Sequence, residues 1–371
     1  MSDTDLLIGT TKGAFILRDG QMSGPHCGGW PINHLTSEPE TGRIWAGGGN
    51  DFFGVGVWRS DDGGETWTIS RLARGQIDDW AAAEPEFAAM VGWTAEETPF
   101  DREIEAIWLL RAAHGRLWAG GKPGVLFVSD DGGESWAGVA GINDHESRKD
   151  WNPGAAGLVL HTLVTHPQDP ARLWAGISAA GVFASEDGGQ SWERRNRLSN
   201  AAACDGHSHP AAPSGGETGH CVHNMGLASD ETLYQQNHHG VWRSHDGGRH
   251  WDDITEGLPS TFGFPIGVHP NDPAMIWTIP LNGDSAGRFP PDAAAAVWKS
   301  NNGGESWVAK RRGLPQSGCF FTVLRQAMAV GPGAEVFFGT NSGSIFASYD
   351  EGESWDEIAR HLPTVLSVEA A

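Results

Sequence analysis

One eight-residue pattern occurs six times in this chain of 371 residues, and it constrains the fold more than any other feature. The first copy is Ser60-Asp61-Asp62-Gly63-Gly64-Glu65-Thr66-Trp67; its serine recurs as Ser129, Ser185, Ser244, Ser300 and Ser348. Each copy closes on a tryptophan: Trp136, Trp192, Trp251, Trp307 and Trp355 after the first. The third place is held by Asp62, Asp131, Asp187, Asp246 and Asp350, with Asn302 in the fifth copy; His250 takes the usual Ser/Thr place in the fourth. The serines lie 69, 56, 59, 56 and 48 residues apart. Such spacing is that of one supersecondary unit repeated with insertions of variable length.

A short apolar run precedes each copy, as in Val125-Leu126-Phe127 or Ala296-Val297-Trp298, and the chain resumes as a strand after it, as in Trp67-Thr68-Ile69. The pattern therefore reads as a hairpin turn in which the carboxylate accepts backbone amides and glycine supplies the positive φ. A second hairpin lies upstream, seen in Arg43-Ile44-Trp45-Ala46-Gly47, Arg116-Leu117-Trp118-Ala119-Gly120 and Arg172-Leu173-Trp174-Ala175-Gly176. Each repeat is thus four strands, A to D, with the octapeptide at the C–D turn.

These octapeptides resemble the Asp-boxes of sialidases, of sortilin-type and photosystem-assembly-factor propellers, and of bacterial propellers loosely labelled glycosyl hydrolases. The last likeness extends to Gln235-Gln236-Asn237-His238-His239-Gly240-Val241-Trp242-Arg243-Ser244 and Trp151-Asn152-Pro153-Gly154. The resemblance implies an all-β propeller and says little about activity. Six boxes do not mean six blades. Leu6–Thr10 and Gly13–Leu17 read as strands B and C of a further repeat that lacks strand A, and Val365-Leu366-Ser367-Val368 can supply it. The expectation is one domain over 1–371: a seven-bladed β-propeller closed by its N- and C-terminal strands, which leaves no open sheet edge.

The chain carries 47 acidic and 25 basic residues, a net charge of -22. That balance argues against nucleic acid or an anionic membrane surface as partner and leaves a small-molecule substrate. Met1–Asp5 does not read as a signal peptide and no run is apolar enough to span a bilayer. The four cysteines, Cys27, Cys204, Cys221 and Cys319, therefore read as reduced in a cytoplasmic protein, with a Cys204–Cys221 bridge as the alternative.

In such a blade the boxes mark the bottom face, so the long insertions at 70–102, 137–158, 194–220 and 281–293 fall on the top. Loops of this length in a compact domain commonly carry function. Asp78 to Met90 reads as a short helix capped by Asp78 or Asp79. Nine of the 16 histidines are placed on this face or at the start of a strand A: His34, His145, His161, His207, His209, His220, His223, His238 and His239.

Counting back from the strand-B aromatic aligns four of the candidate positions. Glu105 and His161 lie 13 residues before Trp118 and Trp174; His34 and His223 lie 11 before Trp45 and Tyr234. A difference of two preserves strand parity, which would bring His34, Glu105, His161 and His223 to the mouth of the central channel. The same count gives Phe264 or Ile266 in the fifth repeat and Leu324 or Gln326 beside Arg325 in the sixth. Three imidazoles and a carboxylate suit a divalent metal, namely zinc, iron, manganese or nickel.

The leading expectation is a metal-dependent hydrolase or lyase. His238 and His239 would act as acid–base groups, Arg325 or Lys122 as anion clamp, and Asn237, Gln326 and Trp151 would line the substrate. A metal-free glycosidase would instead rely on carboxylates from Glu103, Glu105 and Asp51. A non-catalytic scaffold is the third reading. Sialidase activity is disfavoured: the Arg-Ile-Pro motif is missing, and the two tyrosines, Tyr234 and Tyr349, fall in a strand B and a bottom-face box.

Overall fold

The structure, a computed structural model, describes residues 4–38, 40–94, 97–101, 103–178, 180–198 and 221–371. The expected His207, His209, His220 and Cys204 lie outside the described residues, as does most of the 194–220 insertion.

Seven antiparallel sheets form the blades. Blade I takes its inner strand from the C-terminus: Val365–Ala370 pairs with Leu6–Thr10, followed outward by Gly13–Arg18 and Gln21–His26. The remaining blades run inner to outer in chain order. Their strands A and B are Ile32–Glu38 and Arg43–Asn50 in blade II, Ala106–Ala113 and Arg116–Lys122 in III, and Leu160–Thr165 and Leu173–Ile177 in IV. In blades V to VII they are Val222–Leu227 and Leu233–Asn237, Gly263–Val268 and Ile276–Pro280, and Met328–Val330 and Val336–Gly339. Leu6 pairs with Ala370 and Ile8 with Val368, so both chain ends lie in one sheet, as expected.

Each box closes a C–D turn through its own side chains. In the first, Ser60 Oγ donates to Asp62 Oδ1 at 2.7 Å and accepts the Gly64 amide at 2.8 Å. Asp62 then accepts the Thr66 amide at 2.9 Å and the Thr66 hydroxyl at 2.6 Å. In the fourth box the His250 ring bonds to Asp246 Oδ2 at 2.7 Å, doing the work of the missing hydroxyl. In the fifth, Asn302 Oδ1 accepts the Ser306 amide at 3.0 Å while its Nδ2 donates to Ser306 Oγ at 2.9 Å. An amide therefore fills the same role as a carboxylate.

The boxes also join the blades. Indole N–H groups of strand B donate to a box carbonyl of the following blade: Trp45 to Gly132 at 2.8 Å, Trp174 to Gly247 at 2.9 Å and Trp277 to Glu351 at 3.1 Å. The accepting residues have φ of +76°, +71° and +57°, a left-handed conformation in which glycine is unstrained. An arginine two residues earlier covers each of Trp45, Trp118 and Trp174, with its guanidinium carbon 5.7, 5.8 and 5.2 Å from the ring centroid.

Two insertions differ from expectation. The first forms two helices, Gln76–Ala83 and Pro85–Val91, where the sequence suggested a single helix. Asp78 does not cap it from outside: Gly75 holds the N-cap, and Asp78, three residues in, accepts the Gly75 amide at 2.7 Å. Asp78 is buried and takes a bidentate bond from Arg71 at 2.8 and 2.6 Å. The 194–220 insertion opens with Arg197–Leu198, which adds a fifth strand, parallel, at the outer edge of blade V.

Two expectations about the boxes can be measured. Ser185→Ala removes the acceptor of the buried Gly189 amide, 2.9 Å away; it should cost about 1–3 kcal/mol in a urea titration, whereas Asn302→Asp should leave the midpoint close to wild type. Hydrogen bonds from Ser191 and Ser185 hold the Asp187 carboxyl down at about 2. Its contribution is therefore complete above the ordinary carboxylate value and is lost as pH falls through about 2. In acid titrations of stability, Asp187→Asn should unfold with about one proton fewer taken up over that window; an unchanged acid limb would contradict this.

Candidate metal centre

Strand A is irregular at its upper end in blade after blade. Pairing slips between Ile32 and His34, Ile107 and Leu109, Leu160 and Thr162, Val222 and Asn224, and Gly263 and Ile266. Blade I shows the same shift where Thr10 pairs with Val365 and Gly9 with Ser367. A bulge leaves one residue unpaired and re-aims its side chain. The residues so released are Asn33, Trp108, His161, His223 and Leu366, with Phe264 at the matching place in blade VI. In blade VII the matching residue is Gln326, two before the Met328–Phe338 pair.

These side chains form a contiguous collar around the channel. Trp108 meets the His161 ring at 6.0 Å, His161 meets His223 at 6.4 Å, and His223 meets Phe264 at 4.7 Å between centroids. Gln326 spends its amide N–H on the His161 carbonyl at 2.6 Å. Asn33, Trp108, Gln326 and Leu366 line a cavity of about 210 Å³ with Ala156, Leu324 and Arg325.

The register therefore departs from the counting argument. The equivalents of His161 in blades II and III are Asn33 and Trp108, not His34 and Glu105. Asn33, Trp108, His161 and His223 stand 12, 10, 13 and 11 residues before the strand-B aromatic. The A–B turns thus differ by single residues, and parity is not conserved. His34 sits one step lower: it lines a second cavity of about 250 Å³ with Arg111 and Glu369. Its Nδ1 accepts the Leu110 amide at 3.2 Å, and burial, then the charge of Arg111, depresses its pKa to about 3. Glu105 lies half-exposed in a top groove and pairs with Lys122 at 2.9 Å.

Three donors do converge. One ligand atom each from Cys221, His223 and His238 lies within 4.8 Å of the others. The strand start places Cys221 and His223, both fully buried, two residues apart; His238 comes from the B–C turn of the same blade. A hydrogen bond of 2.6 Å joins His223 Nδ1 to the Gly263 carbonyl, which makes Nδ1 the protonated nitrogen and leaves a lone pair on Nε2. That Nε2 is buried with no hydrogen-bond partner among the described residues, as are both ring nitrogens of His161. Burial, then the charge of Arg325, holds both rings well below the ordinary histidine range, so they are neutral and can donate electron pairs. Zinc bonds of about 2.0–2.3 Å imply ligand–ligand edges of about 3.3–3.8 Å, so binding would draw the three atoms together by up to about 1.5 Å.

Aromatic rings wall this cluster. Phe262 lies 5.5 Å from His223 and 5.1 Å from His238, and the Arg325 guanidinium stands 4.4 Å from the Phe264 centroid. Asn237 is buried and accepts the His239 amide at 2.7 Å, which fixes the turn carrying His238 and His239; those two rings are 6.3 Å apart. Trp151 is part of its insertion's core: it is buried, packs on Phe183 at 5.1 Å and donates to Ser147 Oγ at 2.9 Å. Glu103 is exposed at the surface, between the first insertion and blade III. Cys221 and His223 stand as Cys-x-His at the strand start, which is the sequence signal for this pair, although the spacing matches no zinc-finger pattern.

No protein-family model matches the chain. Among curated proteins it is 23% identical over 215 residues to an oligoxyloglucan-reducing end-specific xyloglucanase of Emericella nidulans, covering 52% of this chain and 25% of that protein. It is 29% identical over 167 residues to a sialidase of Bacteroides fragilis, covering 38% and 29%. The chain thus matches little more than a quarter of the length of these relatives. Among solved structures, a GH74 enzyme of Niastella koreensis superposes with a TM-score of 0.58 at 16% identity, over 97% of this chain and 53% of that one. A Bacteroides uniformis protein provisionally assigned as a 6-phosphogluconolactonase does so with a TM-score of 0.60 at 11% identity, over 100% of both chains. By architecture the chain is a seven-bladed β-propeller, and its neighbours are GH74, sialidase-like and lactonase-like propellers.

Proposed function

We propose that this chain is a metal-dependent hydrolase acting on a small polar substrate at the top of the central channel, with Cys221, His223 and His238 as metal ligands. One observation carries the reading: a buried thiol and two imidazoles converge within 4.8 Å, and one imidazole is locked with its electron pair turned away from its only hydrogen-bond partner among the described residues. Thiolate with imidazole favours zinc over manganese. Held by Cys221, His223 and His238, such an ion would supply Lewis-acid activation of a water or of a substrate oxygen. His161, 6.4 Å from His223 between ring centroids, would accept a hydrogen bond there rather than carry a proton, because burial and Arg325 disfavour its charged form. Phe262 and Phe264 pack against His223, and Phe262 also against His238, on one side of the cluster.

Hydrolysis is the reaction class proposed because the curated relatives are named as a xyloglucanase and a sialidase. A metal-free glycosidase built on Glu103, Glu105 and Asp51 has no comparable support, since Glu105 is engaged by Lys122 and Glu103 lies at the surface.

Elemental analysis of the purified full chain, loaded with zinc and desalted, tests the centre. About one zinc per chain is expected, lost in Cys221→Ser and His223→Ala and kept in His34→Ala and Glu105→Gln. Zinc-free wild-type protein, or equal loss in the His34 and Glu105 variants, would overturn the proposal.

A further inference from the structure

We infer that the lower part of the central channel binds a small zwitterion of the α-amino-acid class, with its carboxylate toward Arg111 and His34 and its ammonium toward Glu369. The site lies below the collar, in the cavity of about 250 Å³, and none of Cys221, His223 and His238 lines it. It therefore stands apart from the metal-centre reading.

Strand register places the charges. Three residues below the collar, each strand A pairs one residue with the strand-B aromatic, or with Leu7 in blade I. In five blades that residue is Thr36, Val164, Gly226, Gly267 or Ala329. In blade III it is Arg111 and in blade I it is Glu369, so one cation and one anion share a level of the ring on either side of blade II. They are the two charged side chains among the described residues that line this cavity. The pair does not close on itself. Its nearest approach is 3.9 Å, from Arg111 Nη1 to Glu369 Oε1, which is beyond hydrogen-bond distance. Neither side chain makes a hydrogen bond among the described residues.

Blade II supplies a third group. His34 is buried, and its Nδ1 accepts the Leu110 amide, so the neutral ring carries its proton on Nε2. That N–H has no partner among the described residues, and His34 lines the cavity. The cavity thus offers a guanidinium, a neutral donor and a carboxylate. A lone anion would suit Arg111 and His34 but stand against Glu369. A lone cation would suit Glu369 but stand against Arg111. A molecule with opposite charges a few bonds apart completes an alternating square with the pair, in which each charge neighbours two of the other sign. Burial raises the Glu369 carboxyl above the usual carboxylate range, with Arg111 opposing, and a bound ammonium would favour its charged form. The volume is below the roughly 300–1,000 Å³ of sites for drug-sized ligands, which fits a single amino acid rather than a peptide.

Ligand-observed NMR titration of the full chain with each of the standard amino acids tests this, with acetate and methylammonium as controls that carry one charge each. At least one amino acid should bind about tenfold or more tighter than either control. Arg111→Gln and Glu369→Gln should each weaken it by a similar factor. Melting curves report whether each variant folds; should one not, the other decides. Repeating the titration with the neutral chelator 1,10-phenanthroline should leave the affinity unchanged. Binding lost with the chelator would put the amino acid on the metal and overturn the inference. So would no binding by any amino acid, controls that bind as tightly, or affinity unmoved in either folded variant. Chelator-resistant binding in a chain that holds no zinc would sink the metal reading and leave this one standing. Bound zinc without amino-acid binding would do the reverse.

Discussion

The ring depends on the contact between an indole of one blade and the box of the next. At three junctions glycine, or once Glu351, turns left-handed after the box's third residue, and the carbonyl so presented takes the N–H of the preceding blade's tryptophan. The turn that ends one hairpin is thereby the acceptor that docks its neighbour. Space matters as much as the hydrogen bond. A Cβ on Gly352 would come within 2.8 Å of Trp277 Nε1, and one on Gly189 within 3.2 Å of Trp118. The octapeptide is therefore an interface motif as well as a turn motif, which explains why its glycine, serine and acid recur together while the loops between copies vary.

With the outer edge fixed in this way, the inner edge is free to be irregular. Bulges at the top of strand A release one side chain each in blades II to V. The polar collar members stand in blades II, IV, V and VII, and Trp108, Phe264 and Leu366 close the rest. The imidazoles are neutral because they are buried first and face a cation second. Both causes favour electron-pair donation over proton carriage.

Much of the architecture could be read from residues alone, because it is written in local chemistry repeated six times. Ser185-x-Asp187-x-Gly189 fixes its turn without outside help, and Leu6–Thr10 with Val365–Val368 completes the seventh blade by simple complementarity. The site was less legible because it depends on register. His161 and His223 occupy the collar, but the one-residue differences between A–B turns moved His34 below it and put Trp108 where Glu105 was expected. Trp151, an insertion tryptophan expected at a ligand, turned inward because Phe183 and Ser147 satisfy its ring and its N–H. Cys221 and His223 formed a Cys-x-His pair in the sequence, but only the approach of the B–C turn bearing His238 supplies the third donor.

A bulge uncouples the residue it releases from the ladder on either side. Three collar side chains also tie one blade to another through main-chain carbonyls: Asn33 to Ile107, His223 to Gly263 and Gln326 to His161. The centre of this molecule is accordingly part brace and part socket, and the bulged positions that carry no such tie, Trp108 and Leu366, are the ones where a new side chain meets the least resistance from the frame.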